Sequence, residues 1–533
     1  MNIMLKLNKM KLFKTFAYTG IILFLFASCE DLVDEDPISE IGENNFYANN
    51  DDLLAAVISG YDGMQSFYRD QYFFWGEFRA DNHAPSSNVN ANNQEIADNA
   101  ITEGNSAARW QDLYRTISRA NNVIKNAPDV PSFDENLLAE ALAMRAKCYF
   151  DAIRVWGDVP LFIEPVEVIS ETAKPATNAA TILNDVIIPD MILAQDLMQI
   201  PSDDFRFSKS SIYALQAEVY VYAGDYPNAK IAIQNLMNLG SHSLVTTPLE
   251  WRELFFNSNG DAATDDALDG KIQEGSELIM SIRYSVDEEA GSGNLNRSAI
   301  AQLFRGGVPQ FLMSEEIENK WINRFPTDSV DWETKYPSTD PALTRTVIEP
   351  DGMGGTVEVQ RFNYGDWRYF YSRQGGYDGL GSISIGQAKT GKWGDSVFPS
   401  NEDITDVVVY RYADMLLLLA EIEHELNPTD AATPLGIINQ LRTARQLPQV
   451  TLAEFGATPD ERLDYILVER QLELYGEAKR WWDLLRNDKA IQTMTPILQA
   501  RGVTVPLTQD RLKWPIFFEH LIENPQLNQN SGY

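Results

Sequence analysis

Apolar residues recur every three or four positions over long stretches at both ends of the chain, and that periodicity restricts the fold more than any other feature. Over residues 106–126 the repeat falls on Trp110, Leu113, Tyr114, Ile117 and Ile124. Over 134–156 it falls on Leu138, Ala141, Leu142, Cys148, Tyr149, Ala152 and Trp156. Such a stripe is what an α-helix buries against a neighbour. Gly157 then stops the second helix, because it tolerates a left-handed backbone, and Pro160 prevents a restart. Residues 49–68 carry Leu53, Leu54, Val57 and Tyr61 on one face, and 178–199 and 208–239 also read as helical. Helices return over 402–425 and 458–475. The latter opens on Thr458-Pro459-Asp460-Glu461, a capping hydroxyl followed by proline and a returning glutamate. The expected class is mainly α. With 533 residues and 44% hydrophobic content, the chain can bury a large core.

Within 208–239 lies Ala217-Glu218-Val219-Tyr220-Val221-Tyr222-Ala223-Gly224-Asp225-Tyr226-Pro227-Asn228-Ala229. It resembles a tetratricopeptide unit, in which small residues let two antiparallel helices approach around a tight turn. A second such pair is expected over 416–445, although a generic helical hairpin satisfies the same residues. Between about 240 and 400, Gly, Asn, Asp, Pro and aromatics dominate and the helical period fades. Loops of that length in a compact protein are usually functional. The organisation expected is one domain over 41–533. Helical parts (41–240 and 401–533) pack together, with the loop-rich, aromatic-rich part (241–400) laid over them.

The N-terminus reads separately. Lys6, Lys9, Lys11 and Lys14 precede an apolar run, Ile21 to Phe26, closed by Ala27-Ser28-Cys29. A basic start, a short apolar stretch and small residues at the break describe a secretory signal. The run is too short to span a bilayer, which needs about 20 residues. Small residues before a cysteine resemble the lipobox of bacterial lipoproteins, although Phe26 stands where a smaller residue is preferred. Residues 1–28 are therefore expected to be cleaved and Cys29 acylated, with palmitate among its chains, leaving 29–40 as an acidic tether.

Net charge is −34. A nucleic-acid partner requires a basic footprint to displace counterions, and none is present. Two cysteines make neither a disulfide framework nor a thiolate metal site, and Cys148 reads as core. His83, His242, His424 and His520 are not at zinc-ligand spacing. Residues 386–392 mimic a phosphate-binding loop, but Trp393 stands where a hydroxyl must hold magnesium. The run Asn257, Asn259, Asp261, Asp265, Asp266 and Asp269 is a weak calcium candidate that fits a solvated acidic loop better. No other cofactor is expected. Acids and arginines at Glu469, Arg470, Glu473, Glu477, Arg480, Asp483 and Arg486 recur at helical intervals. A guanidinium beside a carboxylate lowers its pKa, which suits a clamp rather than a general acid.

The same C-terminal third is where the chain becomes familiar. Arg411-Tyr412-Ala413-Asp414-Met415-Leu416-Leu417-Leu418-Leu419-Ala420-Glu421 is very similar to a signature of the SusD/RagB nutrient-binding family. So are Ile438-Asn439-Gln440-Leu441-Arg442, the stretch Glu469 to Leu474, and Arg480-Trp481-Trp482-Asp483-Leu484-Leu485-Arg486. Trp514-Pro515-Ile516 resembles a late family element, with Phe517 replacing its second proline, and residues 524–533 are close to its usual terminus. Gly157-Asp158-Val159-Pro160 fits a family turn. The resemblance implies tetratricopeptide-like pairs and a lipid-anchored protein of the outer membrane, facing the cell exterior. It also implies a partner, a SusC-like TonB-dependent transporter, to which oligosaccharides are handed without catalysis. A RagB-like minority binds peptides, which is the runner-up here; a surface glycosidase, needing two unpaired carboxylates, comes third.

Sugar C–H faces pack on aromatic rings, and sugar hydroxyls need planar polar groups. Ligand-binding residues are accordingly expected among Phe304, Arg305, Trp332, Trp367, Tyr371 and Trp393 of the middle region, and among Trp75, Arg79, Asp81 and Asn82 near the N-terminus. Trp332, Trp367 and Trp393 are the preferred platforms, and Arg79, Asp81 and Asn82 the orienting groups. By the resemblance, the stretch on to about Asn105 supplies ligand loops. Residues 83–109 hold no aromatic, where some starch-binding relatives carry a stacking tryptophan, so starch is not assumed.

Overall fold

The computed structural model describes residues 46–255, 273–284, 298–305, 308–325, 345–350, 355–361, 365–376, 383–393 and 404–533. Helix α1 (Asn50–Tyr68) opens on a capping box in which the Asn49 side chain accepts from the Asp51 and Asp52 amides. A short helix α2 (Gln71–Gly76), strand β1 (His83–Pro85) and helix α3 (Ala91–Ala97) follow. Then come α4 (Gln111–Asn126) and α5 (Glu135–Val155). Gly157, with φ of +84°, ends the α5 segment as its sequence requires.

Helix α5 is buried nearly all round, because α1, α4 and the next long helix pack on different faces of it. Burial on every side forces its charged residues to pair internally. Arg145 meets Asp190 through Nε and Nη2 at 2.7 and 2.9 Å, and Lys147 meets Asp151 at 2.7 Å. The 178–199 stretch departs from a single helix. A turn of helix (Ala179–Ile182) passes into a π-helical turn (Leu183–Ile187) before α6 (Ile188–Leu197). Pro189 brings no N–H to the first turn of α6, a position where a helix tolerates it, and the π-helical turn lies directly before it.

Helices α7 (Lys209–Tyr222) and α8 (Tyr226–Asn238) form the tight pair read from the sequence. Gly224 turns the chain at φ +73°, and the Asp225 side chain caps α8 by accepting from the Asn228 amide. The middle region contributes β2 (Leu278–Ile282), β3 (Phe311–Met313), α9 (Glu315–Arg324), the hairpin β4 (Arg345–Pro350) and β5 (Thr356–Arg361), and α10 (Trp367–Ser372). The C-terminal part follows with β6 (Val407–Arg411), α11 (Tyr412–Leu426), α12 (Ala432–Ala444), α13 (Pro459–Glu473) and α14 (Arg480–Arg486). Residues 407–411 are thus strand, not the start of a helix over 402–425. The β-branched run Val407-Val408-Val409 suits a strand buried on both faces, and it pairs antiparallel with β2.

The helices form a continuous array. Helix α1 packs on α4, α4 on α5, α5 on α6, α6 on α7 and α7 on α8; α8 then packs on α11, which carries α12 and α13. The two helical ends of the chain therefore meet through α8 and α11. The fold is mainly α, built on helical pairs, and the middle region is stitched to it by two antiparallel strand pairs, β1 with β3 and β2 with β6. The largest apolar cluster takes residues from Met64 to Leu527.

Candidate functional site

Most of the chain's charged signature residues are buried, and they bind one another. Glu473 of α13 lies between three guanidiniums. Its Oε1 accepts from Arg411 Nη1 at 2.7 Å and Arg445 Nη2 at 2.8 Å, and its Oε2 from Arg368 Nη1 at 2.7 Å. Glu277 accepts from Arg411 and Arg445, Glu477 from Arg411 and Lys392, and Glu469 from Arg442 and Arg368. Asp366 accepts from Arg368 at 2.8 Å. Arg368, Lys392, Arg411, Arg442 and Arg445 thus stand buried against Glu277, Asp366, Glu469, Glu473 and Glu477, with the partly exposed Arg324 on Glu469 as a sixth cation. Burial alone would raise the Glu469 carboxyl; Arg442, Arg368 and Arg324 overcome that and hold it at about 2. Glu473 is held well below the usual range for the same reason, by Arg445, Arg411 and Arg368. Carboxylates pinned this way donate no protons. The cluster is a clamp joining the middle region to the C-terminal helices, and Lys392 of the phosphate-loop look-alike is one of its members.

The ligand residues expected from the sequence are mostly core. Trp75 is buried and its indole N–H donates to the Ala107 carbonyl at 3.2 Å. Trp367 donates to the Arg445 carbonyl at 2.7 Å and Trp393 to the Gly476 carbonyl at 3.2 Å, both fully enclosed. Neither ring shows a face to solvent, so neither is a stacking platform here. Phe304 is packed between Phe73, Phe78 and His83. Tyr371, 9% exposed, lies under the Arg252 guanidinium. Arg79 donates to Asn99 and to the Leu512 and Arg511 carbonyls, and burial lowers its pKa to about 10. Asp81 is bound by Arg480 and Lys320, and Asn82 by Glu77 and Gln471. All three orienting groups are spent on the fold. Arg305 closes a π-helical turn, Ala301–Arg305. Trp332, Cys29 and the acidic run Asn257, Asn259, Asp261 and Asp265 lie outside the described residues.

What does face solvent beside these residues is a polar trough of about 420 Å³. Asp70 and Phe74 of the α1–α2 junction form one wall, Asn90, Asn92 and Asn93 at the start of α3 a second, and Gln302 and Leu303 a third. Ser106 and Ala107 close it. Local bonds set the wall of amides. Asn90 caps α3 by accepting from the Asn93 amide at 2.9 Å, Asn92 Nδ2 donates to Ser106 Oγ at 2.8 Å, and Asn105 Nδ2 donates to the Asn92 carbonyl at 2.9 Å. The Gln310 side chain accepts from the Asn90 amide at 2.8 Å, tying that wall to the middle region. Burial pushes the Asp70 carboxyl up, against the nearby Arg69 cation and the Gln71 amide.

The trough lies in the stretch up to about Asn105 where the family resemblance puts ligand loops, but its lining residues are not among those expected from the sequence. The Asn90-Ala91-Asn92-Asn93 run was the available signal, and in isolation it reads only as a polar loop. Among the described residues no group of His, Cys, Asp and Glu side chains is placed to hold a metal ion, and no helix is long and apolar enough to cross a membrane.

The scaffold is one of helical pairs with a solvent-open, amide-lined trough beside it. Residues 213–533 match the profile of the SusD family, and residues 32–221 match one described as starch-binding, associating with the outer membrane. A SusD-like protein of Formosa agariphila is 39% identical, over 98% of this chain and 100% of its own length. A SusD homolog from Bacteroides thetaiotaomicron superposes with a TM-score of 0.70 at 18% identity, covering 93% of this chain and 99% of that one. A laminarin-binding SusD-like protein superposes with a TM-score of 0.65 at 22% identity, covering 91% and 100%. The chain belongs to the SusD family.

Proposed function

We propose that the protein is a non-catalytic glycan receptor, a lipoprotein of the outer membrane that captures oligosaccharides in the polar trough and passes them to a TonB-dependent SusC-like transporter. The observation that carries the reading is the convergence of Asn90, Asn92, Asn93 and Gln302 on one solvent-open space. An amide offers a donor and an acceptor a short distance apart, which matches a pair of neighbouring sugar hydroxyls. Asp70 adds an acceptor. It is the lone carboxylate among the described lining residues, whereas glycoside hydrolysis needs two across the bond. With Phe74 only 8% exposed, hydrogen bonding outweighs ring stacking, and ordered water is expected to complete many contacts. Affinity should be modest, about micromolar to millimolar. The laminarin binding of one structural neighbour and the starch-binding description of the N-terminal profile support the glycan class. The lipobox-like segment ending at Cys29 supports the anchor.

Calorimetric titration of the mature protein against laminarin, starch, other storage and cell-wall oligosaccharides, and mixed peptides tests the reading. Saturable heat with one glycan and no release of reducing ends is expected. Binding of peptides with no glycan response would move the trough to peptide capture. Released reducing ends would make the protein an enzyme.

A further inference from the structure

A second cavity, of about 390 Å³, opens among α5, α7, α11, α14 and the segment around residue 512. It shares no residue with the trough. Its size falls within the roughly 300–1,000 Å³ typical of small-molecule sites. Phe150, Leu418, Trp482, Leu485 and Leu512 give it an apolar lining, and its charged wall holds Arg154, Arg486 and Lys513 with the carboxylates of Glu218 and Asp488.

Two of those cations are already neutralised. Arg154 binds Asp151 and Glu218, the latter at 2.6 Å, and Arg486 binds Glu421 and Asp483 at 2.5 and 2.6 Å. Lys513 is different: among the described residues no carboxylate lies in ion-pair contact with it. Its ammonium donates to the Ile153 and Arg154 carbonyls, both at a long 3.3 Å. These are carbonyls of the last turn of α5, where a cation is favoured by the helix dipole. Capping explains where Lys513 sits, yet it does not satisfy the group. An ammonium has three donors, and burial beside Arg154 and Arg79 lowers its pKa to about 8, with Asp158 offsetting only part of that. The chain's charge of −34 does not forbid an anion here, since exposed charges are screened beyond about 8 Å at physiological salt.

We propose that this cavity is a second ligand site, for a small organic monocarboxylate with an aromatic or branched apolar body. The carboxylate meets the Lys513 ammonium, and the body packs against Phe150, Leu418, Leu485 and Leu512. The inference does not depend on what the trough binds.

Phenylacetate and its neutral isostere phenylacetamide, titrated by calorimetry into the mature protein, test it. Phenylacetate should saturate with a Kd at least about tenfold below that of phenylacetamide, the size expected of one charge-assisted hydrogen bond in a partly desolvated site. Lys513→Gln should erase the difference, and Lys513→Arg should keep most of it. Comparing the two ligands on unaltered protein needs no variant to fold. Absence of saturable phenylacetate binding, equal affinity for the amide, or affinity unchanged by Lys513→Gln would each overturn the proposal.

Discussion

Replacing Glu473 with glutamine changes one atom type at the centre of the buried clamp, and the structure sets what that costs. The carboxylate is fully enclosed and both its oxygens accept from guanidiniums at 2.7–2.8 Å. Glutamine keeps one acceptor oxygen and turns an NH2 toward donors that need an acceptor. One negative charge disappears from between three guanidiniums, leaving their positive charge less compensated away from water. At least one charge-assisted bond, about 1.5–3 kcal/mol, is lost, while Arg411, Arg445 and Arg368 each keep another buried carboxylate. Removing one partner of a buried pair costs about 3–5 kcal/mol, and with these ion pairs weakened rather than abolished the loss expected for Glu473→Gln is about 3 kcal/mol. The comparison is Glu423→Gln, whose partner Lys230 is 33% exposed; there the loss should stay below about 1 kcal/mol. Urea unfolding followed by circular dichroism reads both, with hydrogen exchange locating the change. Exchange should quicken first in 273–284 and 365–376, which supply Glu277, Asp366 and Arg368, while the α4–α5 pair stays protected. A loss for Glu473→Gln no larger than that for Glu423→Gln would refute the idea that the clamp holds the middle region in place.

Other outcomes follow from the same structure. Trp393→Ala should destabilise the protein by about 3–5 kcal/mol, because it empties a fully buried indole site, while glycan affinity measured on the folded fraction stays unchanged. Burial raises the Asp406 carboxyl to about 7, against the pull of the Tyr284 amide and Arg283. The folded state therefore keeps a proton that the unfolded chain releases near pH 4, so this group's contribution is complete below about pH 4 and lost as pH climbs through about 7. Asp406→Asn should flatten that part of the melting-temperature profile; an unaltered slope would exclude Asp406 as its source. Cys29→Ala should abolish fatty-acid labelling and leave uncleaved or unanchored protein, since stable attachment takes more than one buried acyl chain.

The helices were legible because their signals are local. The box at Thr458 and Glu461 is present as written, with the Thr458 amide donating to Glu461 Oε2 at 2.9 Å. The turn at Gly224 and the stop at Gly157 both show the positive φ that glycine permits. The clamp was legible in part. Regular spacing of acids and arginines over 469–486 announced pairing, but Glu277, Asp366 and Arg368 come from distant segments that no periodicity connects to it. Strand β6 departs from the helix expected there because a short apolar run suits a buried strand or a buried helix equally, and its partner β2 is far off in sequence. Trp367 and Trp393 depart from the expectation for a related reason. A tryptophan that glues a loop to a scaffold and one that stacks on a sugar are the same residue in sequence, and only packing separates Trp367 and Trp393 from a platform. The trough was hidden by its own chemistry, since asparagines that read as a plain loop become a site only when Gln302 and Asp70 are folded against them.

The claim that this protein recognises glycans through amides at the α3 end is tested most directly by a crystal structure of the protein saturated with whichever oligosaccharide binds best. A sugar ring is expected in the trough, hydrogen-bonded to Asn90, Asn92, Asn93 or Gln302, with Trp367 and Trp393 still enclosed. A sugar bound elsewhere, or stacked on either tryptophan after the core has opened, would contradict it.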